Sequence, residues 1–455
     1  MTSPARAPLR VLAVDLGATS IRVAAVDLGA TEPAAQVLHR WRHSPVRHAD
    51  GSLRWDWQRI LAEVERGLGA ALTAGPAASI GVDGWGVDYG LLDHRGELLS
   101  PPYCYRDDRT RGWRATAELI GAERLHAVTG IQLLPINTIF QLAAHDRTEL
   151  SHAGRLLLLP DLLVRALTRF EGAERSNAST TALLDARTGA WSAELVGAVG
   201  LDPALLPQVV PAGLAVGSWR GVTLHSVGSH DTASAFVAIP GVPGPGTAVV
   251  SSGTWVLVGT ERPAVDTSEQ ARAANFSNEA GALGGVRFLK NVMGFWMLEQ
   301  CRAAWGNPTV EELAAAATEV TRPVPVVDPA DARFLAPADM DAEVRSAAGL
   351  GAAASRAEVV RCILESIAAG TARVVDELGS ITGTPVDELL VVGGTARIRL
   401  MNELYGRHTG LPVTVGSPEA TALGNAVVQG LALGHFESLD AARRWLATGS
   451  ERLVM

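Results

Sequence analysis

Lysine is almost missing from this chain. Lys290 is the single lysine among 39 basic residues, so arginine supplies all the others. Without a Gly-Lys-Ser/Thr loop, P-loop nucleotide chemistry is excluded. Cysteine is scarce as well: Cys104, Cys301 and Cys362 are odd in number and far apart. That spacing speaks against a disulfide framework or a paired-cysteine zinc site, and it points to a reducing cytoplasm. Positive charge is in deficit, with 48 acidic residues and a formal net charge of −9, which argues against nucleic acid or an anionic membrane as the main partner. A secretory leader is not expected, because MTSPARAPLR runs into a strand-like segment with no apolar stretch. The longest uncharged run, Thr232 to Thr260, could cross a bilayer on length alone. It contains the series Pro240 to Gly246 (PGVPGPG), which no lipid-exposed helix would carry.

What is present describes a large folded protein. The chain has 455 residues, 47% hydrophobic and 19% charged, which suits two domains better than one core. Val11 to Leu28 (VLAVDLGATSIRVAAVDL) reads as two strands joined by a tight turn of small polar residues. Thr247 to Glu261 repeats that build, which suggests two related halves. The Pro/Gly series between them is the strongest composition break, so the expected domains are 1–242 and 243–455. Ala78 to Asp93 reads as two strands meeting at Gly84-Trp85-Gly86, and Leu156 to Leu159 as a buried strand with Pro160 opening a helix. Helical spacing over Ala357 to Leu378, a strand at Leu389 to Val392 and a small-residue helix over Glu419 to Leu433 complete a mixed α/β pattern.

Several segments have the composition of a reactive site. Asp15-Leu16-Gly17-Ala18-Thr19-Ser20 places a carboxylate at a strand end, beside amides and hydroxyls that could cradle phosphate; alternatively Asp15 only caps the turn. Ser251-Ser252-Gly253-Thr254 offers the same donors without an acid. Gly393-Gly394, after a buried strand, would admit a flat ligand such as adenine or simply make a turn. In Gly228 to Ser234 (GSHDTAS), Asp231 stands between an imidazole and a hydroxyl in an uncharged stretch. It could serve as a general base facing an alcohol, or as a helix N-cap. Asp83, Trp85 and Asp88 could form a sugar face, or Trp85 could simply be core, while Asp107 and Asp108, between Arg106 and Arg109, could form only surface ion pairs.

Taken together, these motifs resemble the FGGY carbohydrate kinases from about Val11 to about Gly434. DLGATSIR, SSGTW and VVGG match the general family features. GVDGWGVDYGLLD, YRDDRT, TGIQLLPINTIFQL, SNASTT, GSHDTASA, FSNEAG, RFLKNVMGFW and SPEATALGNAVVQG are closest to the members that act on L-rhamnulose. The resemblance implies two actin-like (ribonuclease H-like) α/β domains flanking a central cleft, and ATP-dependent phosphorylation of the L-rhamnulose 1-hydroxyl with Mg2+. It implies Asp231 as the general base, with Gly86, His230, Thr232 and Asn291 along the sugar. Ala18, Thr19, Ser20, Ile21, Arg22, Thr254, Glu299 and Gly394 would meet the nucleotide, and Asp15 the metal, through water. Another ketose (L-fuculose, L-ribulose or xylulose), a catalytically inactive sugar- or nucleotide-binding regulator, or a different actin-like ATPase are the competing readings. The chain departs from the family pattern at Ile21 and Thr395, where glycine is usual, and at Glu299, where glutamine is expected.

Overall fold

The computed structural model describes residues 9–453; the leader reading of the N-terminus falls mostly on residues 1–8, outside that range. The described chain forms two compact units. The first comprises residues up to Gly241 together with Glu261–Phe288 and Ala420–Gly449; the second comprises Val242–Thr260, Leu289–Glu419 and the residues after Gly449.

In the first unit, Arg10–Leu16 and Ser20–Asp27 pair antiparallel, with Asp15 opposite Arg22. On its other side Arg10–Leu16 runs parallel to Ser79–Gly84, which runs parallel to Val222–His225. Almost every residue of Arg10–Leu16 is buried, as expected of a central strand covered on both faces. Leu12, Val14, Ile21 and Val23 face one core with Ile60, Val64 and Leu68 of the helix Trp57–Ala74. The alternate residues Ala13 and Ala24 face Ala422 on the helix Ala420–Ala432. Gln429 on that helix donates to the Leu12 carbonyl (3.0 Å) and Asn425 donates to the Asp83 carboxylate (2.6 Å). These contacts explain why a segment nearly 180 residues beyond the Pro/Gly break belongs to the first unit. Its small residues permit close approach: a Cβ at Gly424 would lie 2.6 Å from the carbonyl carbon of Ser234 in the helix Asp231–Val237.

The second unit repeats the opening motif. Thr247–Ser252 pairs antiparallel with Trp255–Arg262 and parallel with Glu388–Val392, which is followed by parallel Val413–Val415 and antiparallel Glu451–Leu453. A long helix, Arg356–Thr382, starts at a Ser355/Glu358 capping box and stops at Gly383 in the left-handed conformation. The elements therefore lie where hydrophobic pattern and turn residues placed them. The two strands expected on either side of Gly84-Trp85-Gly86 form as Ser79–Gly84 and Tyr89–Leu92, the second of which pairs with Arg155–Leu158. All three cysteines are buried free thiols, and no described helix is long and apolar enough to cross a membrane.

Candidate active site

The first small-residue turn is a tight hairpin. Gly17 and Ser20 exchange backbone hydrogen bonds (3.1 and 3.2 Å), leaving Ala18 and Thr19 at the tip. The His43 imidazole braces the Gly17 carbonyl at 2.9 Å. Ile21 is fully buried in the core, so its side chain cannot meet a ligand and only its backbone remains available. Arg22 pairs with the buried Asp15 carboxylate at 2.6 Å. Asp83 lies beside Asp15 on the neighbouring parallel strand. Burial, and then the charge of Asp15, push its carboxyl well above the ordinary carboxylate range, and Asp231 adds to the same effect. Asp15, Asp83 and Asp231 are thus electrostatically linked around Arg22. Among the described residues no group of three metal-ligating side chains converges. Mg2+ bound with ATP needs no such cage, because it keeps several waters and takes one or two carboxylates plus phosphate oxygens. A buried hard-oxygen donor such as Asp15 fits that requirement.

Asp231 begins the helix Asp231–Val237, and His230, not Asp231, is the N-cap residue. The Asp231 side chain is 29% exposed, and its Oδ1 accepts from the Thr232 hydroxyl at 3.1 Å. His230 faces Asp231 through Nε2 (3.5 Å), while its Nδ1 lies 3.3 Å from Glu279 and 3.2 Å from Arg287. Arg287 is itself buried and paired with Glu279 at 3.1 Å. Arg287 and Glu279 therefore both face Nδ1, while Nε2 is turned toward Asp231. Glu279 and Arg287 lie in FSNEAG and RFLKNVMGFW, yet no role was read for either. Pairing of a buried acid with a buried base eight residues apart was the available signal.

Gly86 sits beside the helix Arg175–Thr180, where a Cβ would come 3.0 Å from the Thr180 hydroxyl. Val87, next to it, is β-branched with φ of 69°, a strained conformation. The Thr138 hydroxyl (2.7 Å) and Gln141 amide (3.2 Å) both donate to its carbonyl and hold it there. The expected sugar face of Asp83, Trp85 and Asp88 is not formed. Asp88 is wholly buried, and its Oδ2 accepts from Trp55 (2.6 Å), Trp85 (3.0 Å) and Tyr105 N (3.2 Å), while Oδ1 takes Gln141. Asp83 is equally buried, against Asn425. Both carboxylates serve the fold, with no oxygen turned to solvent. Asp108 forms the expected surface ion pair, with Arg111, while Asp107 accepts backbone N–H groups of Leu53 and Arg109.

The remaining candidates are in the second unit. Thr254 lies at the turn after Thr247–Ser252, where its carbonyl accepts from Trp296 N (3.1 Å). Gly393 has φ of 96° and packs against the backbone of Ser252, a close approach that requires glycine. Thr395, at the position of the usual third glycine, donates its hydroxyl to Ser252 and so ties this loop to the second hairpin. Nothing crowds Gly394. Glu299, on the helix Trp296–Ala304, is paired with Arg302, which offsets its charge. Asn291 follows Lys290 on the strand Val286–Met293, and the Lys290 amine is paired with Glu377 at 2.7 Å.

Comparison with known proteins extends this picture. Residues 10–234 match the model of the N-terminal domain of the FGGY family of carbohydrate kinases, and residues 248–433 match that of its C-terminal domain. A rhamnulokinase of Enterococcus faecalis is 36% identical, covering 96% of this chain and 92% of its own. One from Pectobacterium atrosepticum is 38% identical, covering 96% and 90%. Among solved structures, gluconate kinase from Lactobacillus acidophilus superposes with a TM-score of 0.76 at 16% identity, over 98% of this chain and 93% of its own. Glycerol kinase from Plasmodium falciparum, solved with ADP, gives 0.74 at 16% identity over 97% and 92%. Those two likenesses establish the two-domain, actin-like α/β fold. With family models matched in both halves and relatives above 30% identity along nearly the whole length, the protein belongs to the FGGY family of carbohydrate kinases.

Proposed function

We propose that this ATP-dependent carbohydrate kinase phosphorylates L-rhamnulose on its 1-hydroxyl, in the cytoplasm. The observation that carries the reading is the 36% and 38% identity to two rhamnulokinases across 96% of the chain. Transfer of a γ-phosphoryl group depends mainly on alignment and charge neutralisation. Asp231 takes the proton of the attacking hydroxyl as the bond to phosphorus forms. His230 and Thr232 orient that carboxylate and line the sugar. Gly86 leaves room for the sugar against the backbone, and Asn291 hydrogen-bonds one of its hydroxyls.

The hairpin from Ala18 to Arg22 lies along the phosphates, with Ile21 contributing only main chain. Thr254, Glu299 and Gly394 contact the nucleotide from the half that spans 243–455, while residues up to 242 supply the base and most of the sugar contacts. Asp15 would hold Mg2+, which when bound would supply charge neutralisation for the transferring phosphoryl group.

A coupled assay of ADP release with L-rhamnulose, L-fuculose, L-ribulose and xylulose tests the substrate. L-Rhamnulose should give the highest kcat/KM, and a clear preference for another ketose would overturn the assignment. Asp231→Asn should lower kcat by about 10²–10⁴-fold, the usual contribution of a general base.

A further inference from the structure

Asp161 and Glu174 form a buried acidic pair directly behind the Asp231 loop. Asp161 lies in the first turn of the helix Leu159–Thr168, and Glu174 caps the helix Arg175–Thr180. They are only 6% and 2% exposed, and the Glu174 N–H donates to Asp161 Oδ1 at 3.3 Å. Two acids this close in a dry setting do not both ionise readily. Their surroundings decide which one keeps the proton. Glu174 Oε2 accepts from the backbone N–H groups of Ser176 (3.0 Å) and Ser229 (2.8 Å) and from the Ser176 hydroxyl. Asp161 has that single backbone donor, and burial followed by the charge of Glu174 pushes its carboxyl well above the ordinary range. Burial also raises the Glu174 carboxyl, but its donors oppose the rise, and the buried Arg287 guanidinium senses its charge. Glu174 is therefore the more readily ionised of the two.

The bonds made by Glu174 converge on the residues just before Asp231. Ser229 is held through its N–H, while its carbonyl accepts from Gly84 N at 2.9 Å. The Ser176 hydroxyl that donates to Glu174 accepts from His230 N–H at 3.2 Å. One carboxylate oxygen thus anchors two successive residues, directly and through one hydroxyl. The next residue is Asp231.

We propose that Glu174 is a positioning residue for phosphoryl transfer: its Oε2 fixes the Ser229–His230 backbone, and with it the direction in which Asp231 leaves the helix start. The inference rests on the assignment of Asp231 as the base. What the loop requires is an acceptor at Oε2, which a glutamine can supply and an alanine cannot.

The test uses the full-length protein with ATP and L-rhamnulose. Glu174→Gln should keep kcat within about threefold of wild type, whereas Glu174→Ala should lower kcat by roughly 30–100-fold with KM for ATP nearly unchanged, the signature of misplaced chemistry. Glu174→Ala added to Asp231→Asn should cost nothing further, because a residue that acts through the base has nothing left to act on. Wild-type kcat in Glu174→Ala, equal damage in both Glu174 variants, or additive losses in the double variant would each overturn the proposal. Should Glu174→Ala not fold, Ser176→Ala decides, with a kcat loss of about 3–10-fold expected and an unchanged kcat refuting. If Asp231→Asn alone retains wild-type activity, the base assignment falls and this inference with it. An impaired Asp231→Asn beside an unimpaired Glu174→Ala removes this inference alone.

Discussion

Replacing Gly424 with alanine probes the packing that supports Asp231. The added Cβ would lie 2.6 Å from the Ser234 carbonyl carbon and 3.3 Å from Ala238 N, both in backbone that cannot rotate away. Carbon atoms pack at about 3.5–4.0 Å and the Ser234 carbonyl oxygen lies nearer still, so the helices Ala420–Ala432 and Asp231–Val237 must separate by at least about 1 Å. Overpacking of this kind costs about 1–3 kcal/mol, and a clash with backbone belongs at the upper end. Alanine recovers about 1 kcal/mol of helix propensity, leaving a net loss of about 2 kcal/mol. For a unit of this size that corresponds to a fall of roughly 4 °C in the unfolding midpoint. Moving the Asp231 helix by about 1 Å should also lower kcat by roughly 10–100-fold. Calorimetry and the coupled ADP assay read the two effects together. Gly197→Ala is the control, since nothing lies within 4 Å of its Cβ position, and it should be neutral or slightly stabilising. Unchanged midpoint and kcat in Gly424→Ala would show that the helices do not meet at this glycine.

Three other outcomes are expected. Arg287→Met leaves Glu279 buried without its cation and should destabilise by about 3–5 kcal/mol in urea unfolding, with partial recovery when Glu279→Gln is added; equal stability of the two variants refutes the pairing. Burial raises the Asp88 carboxyl from 3.8 to about 6 despite its four donors, so between those values the native state binds a proton that the unfolded chain releases. Its contribution is therefore complete below pH 3.8 and lost as pH climbs through 6, a difference of about 3 kcal/mol. About 1 kcal/mol of it is already lost at pH 4.5, so Asp88→Asn should be less damaging at pH 7.5 than at pH 4.5 by about 2 kcal/mol, and an equal penalty at both would refute the shift. Lys290→Arg should raise KM for the ketose more than KM for ATP; an unchanged ketose KM would assign the Glu377 pair a structural role only.

Much of the architecture was legible because it depends on short-range pattern. Buried apolar runs, the turn residues Gly17 and Gly253, and Pro160 at a helix start mark elements without knowledge of partners. The motif around Asp231 was legible for the same reason, as its imidazole and hydroxyl neighbours are adjacent in sequence. Asp88 misled because its principal donor, Trp55, is 33 positions away, and a carboxylate beside glycines looks alike whether it faces sugar or indole. Glu174, Glu279 and Arg287 were invisible as functional groups for a related reason. They act on the Ser229–His230 loop from some 50 positions away on either side, a relation that only the folded chain supplies.

The return of Ala420–Gly449 to the first unit bears on how the protein is made. Asp83 and the Leu12 carbonyl wait for Asn425 and Gln429, which are synthesised long after Gly241. A nascent chain that has reached Gly241 therefore holds Asp231 but an unfinished sheet face. The usual order, in which an N-terminal domain folds while the rest is still emerging, is closed to this unit. A gene fragment cut at the Pro/Gly series should yield a product that aggregates, and co-expression of residues 242–455 should rescue it by supplying the missing helix.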